Sequence, residues 1–220
     1  MTRSEEKKIL TPGQTGLRLT LVGLGDVGGT LLTALKLLGN EIDEIGIYDP
    51  FEPLIDRYEM ELGQVLERET PRIVRRAPEA LFDCDLFLFA ASAGVPPVGA
   101  QGDMRMQQFE SNRELLKKYT KQARETDFSG LFCQISDPVD LLCRCVYEQS
   151  NRDEAGNFDG KGLRPEQIVG FGLGVMAARA QYYARKPAWM RRESRPTVPT
   201  APVWSSPTTR KTTTTRCRRS

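Results

Sequence analysis

The chain of 220 residues contains no histidine, so it lacks the side chain that most often acts as a general acid or base near neutral pH. Histidine is also the commonest metal ligand, and the five cysteines are irregularly spaced, so no metal site is expected. Long apolar runs are missing, since no stretch approaches the roughly 18 to 20 residues of a membrane span. The first residues lack the apolar core of a secretory signal, which indicates a cytoplasmic protein. Four of the cysteines lie inside or beside apolar segments, which predicts buried, reduced thiols.

Acidic residues are nearly missing from the end of the chain. Residues 191–220 contain eight Lys or Arg and one acid, whereas the preceding residues contain 23 bases and 28 acids. A segment so rich in Thr, Pro and Arg cannot bury a core, which predicts a disordered tail. A basic arm that binds nucleic acid is a disfavoured alternative, because Trp204 alone offers little stacking and no recognition fold accompanies it.

The body of the chain alternates between apolar strands and amphipathic helices. Residues 17–24 run apolar into glycine, as buried parallel strands do, and residues 26–39 have helical apolar spacing. Further strands are expected at 44–49, 72–76, 85–92, 130–136 and 167–174, and further helices at 52–67, 111–125, 137–149 and 175–186. Such alternation predicts an α/β fold with a doubly wound parallel sheet.

The segment "GLGDVG" is a G-x-G-x-x-G motif at the first strand-to-helix junction. In this context it predicts a loop whose backbone approaches a pyrophosphate at a helix N-terminus. Asp49 closes the next strand, where a carboxylate would bind the adenosine ribose hydroxyls and favour NAD over NADP. A tight turn that binds nothing is the alternative. The expected cofactor-binding residues are Gly23, Gly25, Asp26, Val27, Gly28 and Asp49.

Four further segments occur in one order: "YEMELGQV", "AASAGVPPVGAQGDMRMQQFESN", "ISDPVDLL" and "IVGFGLGVMAAR". With the glycine motif, they make residues 17–185 resemble the lactate/malate dehydrogenases. The resemblance implies a Rossmann-type fold, NAD as cofactor and hydride exchange with a small 2-hydroxy or 2-oxo acid. It adds cofactor-binding residues at Ala91, Ser92, Ala93, Asn112, Ser136 and Asp137.

The resemblance also divides the chain. It implies an NAD-binding domain at 17–160 after a polar lead-in at 1–16. Residues 161–190 would begin a second α/β domain, the substrate domain, and 191–220 form the tail. A homo-oligomer is compatible with the family, and no membrane partner is expected.

Two arginines match the family's substrate-binding pattern. Arg105, seven positions before Asn112, would polarise the substrate carbonyl, and Arg179, nine after Gly170, would bind the substrate carboxylate. A solvated loop charge is the alternative for Arg105, and a helix-surface salt bridge is the alternative for Arg179.

The chain departs from the family at the acid/base site. Asp137 replaces an asparagine, Met176 replaces the aspartate that supports the histidine, and the histidine is missing. Pro97 and Val98 occupy the specificity region without indicating a substrate. We therefore expect a catalytically impaired dehydrogenase, with a non-catalytic NAD-binding module as the alternative.

The family continues beyond this length, so the chain is interpreted as C-terminally truncated or frameshifted near residues 186–195. Threonine codons begin with AC, so in the shifted frame the last base of the preceding codon and the first two bases of each threonine codon form a triplet ending in AC. Such a triplet encodes His, Tyr, Asn or Asp. The shifted reading of residues 197–201 permits Gly-Pro-His-Gly, which resembles the family's Gly-x-His-Gly segment. Resequencing codons 180–220 tests this hypothesis.

Overall fold

The structure, a computed structural model, describes residues 16–65, 70–94 and 102–185. Within these ranges the strands are β1 (Leu17–Val22), β2 (Ile42–Tyr48), β3 (Arg72–Arg75), β4 (Leu86–Phe89), β5 (Leu131–Gln134) and β6 (Ile168–Gly170). The α-helices are α1 (Asp26–Leu38), α2 (Glu52–Gly63), α3 (Met104–Glu125), α4 (Val139–Ser150) and α5 (Leu173–Arg185). Single 3-10 turns at Pro78–Ala80 and Pro165–Gln167 precede β4 and β6.

The six strands form one parallel sheet in the order β3-β2-β1-β4-β5-β6. The chain starts at the centre with β1, proceeds to one edge, and returns to lay β4 on the other side of β1. This reversal opens a crevice at the carboxyl ends of β1 and β4, where sheets of this kind bind ligands. The predicted doubly wound parallel sheet is confirmed.

The sheet buries one apolar cluster on each face, because successive strand side chains point in opposite directions. In β4, Phe87 and Phe89 join an aromatic cluster beneath α3, while Leu88 joins an aliphatic cluster beneath α1 and α2. The rings of Phe87 and Phe132 lie 4.9 Å apart between centroids, and those of Phe89 and Tyr119 lie 5.1 Å apart. Each face therefore holds one helix layer against the sheet.

Several element boundaries differ from the sequence prediction, and those of α3, β6 and α5 differ near the predicted arginines. Helix α3 begins at Met104 rather than at residue 111, because the Asp103 carboxylate accepts hydrogen bonds from the N–H groups of Arg105 and Met106 at 3.0 and 3.3 Å. Strand β6 ends at Gly170, and α5 starts at Leu173, two residues earlier than expected. Arg105 thus lies in the first turn of a helix.

The chain divides into two compact units, Met1–Met176 and Ala177–Ser220. The first contains the whole sheet, and the described residues of the second are the later turns of α5. None of the helices in the described ranges has the length and apolar character needed to cross a bilayer.

Four cysteines lie in the described ranges, and all are free; Cys84, Cys133 and Cys145 are buried and Cys143 is half-buried. The fifth, Cys217, lies outside the described residues. Burial raises the pKa of the Cys84, Cys133 and Cys143 thiols to about 11. The prediction of buried, reduced thiols is met by three of these four cysteines.

Candidate functional site

The carboxyl ends of β1, β2 and β4 meet at the crevice. In the sheet register Val22 pairs with both Tyr48 and Phe89. One residue further, the Gly23 N–H donates to the Tyr48 carbonyl at 3.0 Å, and the Ala90 N–H donates to the Val22 carbonyl at 2.8 Å. The glycine loop, the end of β2 and the end of β4 are therefore fixed against one another.

The three motif glycines meet three different requirements. Gly23 has φ +91°, and a Cβ there would lie 2.4 Å from the Ala91 backbone. A Cβ on Gly28 would lie 1.8 Å from the Gly23 carbonyl oxygen. At Gly25, by contrast, φ is −66° and no atom of the described residues lies within 4 Å of an added Cβ. The fold itself does not demand glycine at this position, and the open space suits a pyrophosphate.

The exposed part of the loop is the start of α1. Gly25, Asp26 and Val27 are exposed, while Gly28 and Gly29 are buried beneath them. The N-cap residue Gly25 makes no side-chain capping bond, so the first N–H groups of α1 face outward without a side-chain cap. These groups and the helix dipole favour an anion. Asp26 places a carboxylate beside them, which favours the helix but repels a phosphate.

Asp49 lies at the mouth of the crevice, directly after β2. Its Oδ2 accepts a hydrogen bond from the Leu24 N–H at 2.8 Å, and its Oδ1 accepts one from the Phe51 N–H at 2.8 Å. A carboxylate offers about four lone-pair sites, so each oxygen retains capacity for a ribose hydroxyl. Asp49 therefore fixes the glycine loop and presents acceptors to a ligand with one side chain.

On the other side of the crevice, Asn112 joins two loops. Its side chain is fully buried in α3. Its Nδ2 donates to the Asp137 carbonyl at 2.7 Å, and its Oδ1 accepts from the Ala93 N–H at 2.8 Å and the Ser92 hydroxyl at 3.3 Å. Asn112 thus positions the loops that follow β4 and β5. Sequence reasoning assigned it to the cofactor and did not foresee this bridging role.

Ser136 has a similar supporting role. It is buried, and its hydroxyl donates to the Ala91 carbonyl at 2.6 Å. Ala91 is half-buried, whereas Ser92, Ala93 and Asp137 are exposed. Of the predicted cofactor-binding residues on this side of the crevice, these three are exposed to a ligand.

The two predicted substrate arginines lie on different helices and in different units. The Arg105 Nη2 atom lies 2.6 Å from Oδ1 of Asp140 on α4, and both side chains are about half exposed. The sequence did not indicate that Asp140 pairs with Arg105, although this acid is part of the "DPVD" segment. Arg179 is exposed on α5, in the second unit. Met176 is also exposed.

Other predicted positions lie outside the described residues, namely Pro97 and Val98 of the specificity region and the basic tail. Among the residues that the structure describes, no three His, Cys, Asp or Glu side chains are grouped to hold a metal ion.

A parallel sheet in this order, with a glycine loop at its crevice and a carboxylate after β2, defines the dinucleotide-binding class of α/β domains. A model of the family described as lactate/malate dehydrogenase, NAD binding domain, matches residues 17–159. The chain therefore belongs to the lactate/malate dehydrogenase family, through its NAD-binding domain. NAD is the cofactor of this domain, as predicted.

Individual relatives agree with this assignment. The L-lactate dehydrogenase 2 of Staphylococcus aureus strain JH9 is 28% identical over 169 residues, which cover 76% of this chain and 48% of that protein. The L-lactate dehydrogenase 2 of strain Newman matches to the same extent. The chain spans about half the length of the curated relatives it matches.

Solved structures share the fold. A ligand-bound minor L-lactate dehydrogenase from Enterococcus mundtii superposes with a TM-score of 0.62 at 18% identity, over 78% of this chain and 50% of that one. The malate dehydrogenase of Plasmodium falciparum gives a TM-score of 0.60 at 17% identity, over 76% and 48%.

Proposed function

We propose that the chain binds NAD across the carboxyl ends of its strands, with the adenosine ribose on Asp49 and the pyrophosphate over Gly25. The nicotinamide half would lie along the loops that contain Ser92, Ala93 and Asp137. The observation that carries this proposal is the hydrogen bond between Asp49 and the Leu24 N–H, because it holds the Asp49 carboxylate directly beside the open glycine loop. When bound, NAD supplies a nicotinamide carbon that accepts a hydride.

We further propose that the site descends from one that oxidises a small 2-hydroxy acid, and that turnover by this chain is impaired. In such a reaction a base must take the hydroxyl proton, and the chain contains no histidine to do so. Arg105 would polarise the carbonyl oxygen, but it first has to leave Asp140. Removing a positioned base alone costs about 10²- to 10⁴-fold in rate.

A non-catalytic NAD-binding module is the second candidate. The observation that favours it is the pairing of Arg105 with Asp140, which occupies the cation that a substrate carbonyl would need. On this proposal the binding surface is retained while the proton-transfer groups are lost. The two candidates differ only in residual turnover.

Turnover and binding should be measured on the same preparation. NADH binding is followed by its fluorescence, and oxidation of lactate or malate by NADH formation. Binding with turnover at least about 100-fold below an ordinary dehydrogenase would support impairment. Turnover within about tenfold of an ordinary enzyme would overturn it, and the absence of NADH binding would overturn both candidates.

Asp49→Ala tests the placement of the ribose. We expect NADH affinity to fall by about tenfold or more, because charge-assisted hydrogen bonds to two hydroxyls are lost. Asp43→Ala is the matched control, since Asp43 is an exposed acid at the opposite end of the same strand. Equal NADH affinity in the Asp49 and Asp43 variants, with both folded by circular dichroism, would remove Asp49 from the site.

A further inference from the structure

A charged groove opens beside Asp49, on the side away from the glycine loop. Its volume is about 360 Å³, and its lining includes Asp49, Glu52, Arg75 and Arg76. The groove lies between the end of β2, the start of α2 and the end of β3. On the proposed placement of the ribose, a group attached to its 2′ hydroxyl would lie beside this groove, because Asp49 also lines the groove.

Arg75 is surrounded by carboxylates from one helix face. Glu52, Asp56 and Glu59 are spaced i, i+4 and i+7 on α2 and face β3. Nη1 of Arg75 lies 3.1 Å from Glu52 Oε2, and Nη2 lies 2.9 Å from Glu59 Oε2 and also contacts Asp56. The hydrogen bonds to Asp56 and Glu59 raise the pKa of the Arg75 guanidinium.

The other guanidinium of the groove is also engaged. Arg76 forms a largely buried ion pair with Glu44 at 2.5 Å, and Arg72 contacts the same carboxylate at 2.7 Å from a more exposed position. Around Arg75 itself, the three carboxylates of α2 and Asp49 outnumber the single cation. The groove lining holds as many arginines as acids, but neither cation is free to meet a phosphate, because Arg75 is paired with the acids of α2 and Arg76 with Glu44.

From this arrangement we propose that Glu52, by holding Arg75, is a coenzyme-specificity residue that excludes a 2′-phosphate, and that Arg75 is a latent phosphate-binding cation. The inference rests on the proposed placement of the ribose on Asp49. It differs from discrimination by Asp49 alone, because it assigns part of the rejection of NADPH to an ion pair outside the ribose contact. Neutralising Glu52 would release one side of the Arg75 guanidinium and remove one repulsive charge.

The test compares NADH and NADPH affinities by calorimetry for the wild type and three variants. Glu52→Gln should raise NADPH affinity about fivefold, the effect of about 1 kcal/mol for one charge near the surface, with little change for NADH. The double variant Glu52→Gln with Arg75→Gln should lose that gain, because the released cation is gone. Glu61→Gln is the control, since this exposed acid of α2 pairs with Arg57 and does not line the groove.

The outcomes separate the two proposals. If NADH binds and Glu52→Gln leaves the NADPH-to-NADH affinity ratio unchanged, the specificity inference is wrong and the ribose placement stands. A gain that persists without Arg75, or that Glu61→Gln reproduces, also overturns it. If the wild type binds neither coenzyme, the proposed function fails, and this inference fails with it.

Discussion

Asn112→Ala removes a buried side chain that joins the loops after β4 and β5. Three hydrogen bonds disappear, at 2.7, 2.8 and 3.3 Å, and the Asp137 carbonyl and the Ala93 N–H lose their side-chain partner. Each partly buried backbone group left unpaired costs about 1 to 3 kcal/mol, and water entering the small cavity recovers part of that. We therefore expect the free energy of unfolding to fall by about 2 to 4 kcal/mol.

The assay is urea unfolding followed by far-ultraviolet circular dichroism, with NADH titration well below the midpoint. Ser111→Ala is the matched control, because Ser111 is the exposed neighbour whose hydroxyl donates only to the Gln107 carbonyl within α3. Its effect should stay within about 0.5 kcal/mol. A loss below about 1 kcal/mol in Asn112→Ala, with unchanged NADH affinity, would refute the bridging role.

Three further predictions concern the glycine loop and the thiols. Gly25→Ala should weaken NADH binding but lower the free energy of unfolding by less than about 1 kcal/mol. Gly28→Ala should lower it by about 3 kcal/mol or more, because its Cβ would overlap the Gly23 carbonyl. Equal decreases in melting temperature for the two variants would contradict this. Asp26→Asn should raise NADH affinity about fivefold at low salt, because it removes a charge that repels the pyrophosphate. It should also lower the melting temperature slightly, because an acid at the N-terminus of α1 stabilises the helix dipole. Weaker NADH binding would contradict the proposed position of the pyrophosphate over the start of α1. Cys133 should resist thiol reagents until the protein unfolds, since burial raises its pKa to about 11; labelling of Cys133 at the rate of a free peptide, located by mass spectrometry, would contradict its burial.

The sheet could be predicted because its strands are short apolar runs between turn residues. The start of α3 could not be predicted from apolar spacing, because the apolar residues of its first turn, Met104 and Met106, are 45% and 42% exposed and do not belong to a buried face. The usable signal was Asp103, a residue type that caps helices. Because the capping role of Asp103 was not predicted, Arg105 was expected to lie on a loop.

The site was predicted as a set of positions but not as a set of contacts. The family motif marks Asn112 without indicating that its amide is consumed by two backbone loops. The i, i+4, i+7 acids of α2 are visible in the sequence, yet their partner Arg75 is supplied by β3 through strand order, which no local pattern encodes. Tertiary pairing decides which charges are free to meet a ligand.

The two backbone hydrogen bonds to Asp49 bear on the thermodynamics of binding. The carboxylate already holds Leu24 and Phe51, so the loops on either side of the proposed ribose site are ordered before any ligand binds. The conformational entropy of these loops is lost during folding, so ordering them does not weaken ligand binding. On the proposed placement of the ribose, a fragment such as AMP should therefore bind with little structural adjustment, and the adenosine half of the site would be a preformed anchor for the rest of the dinucleotide.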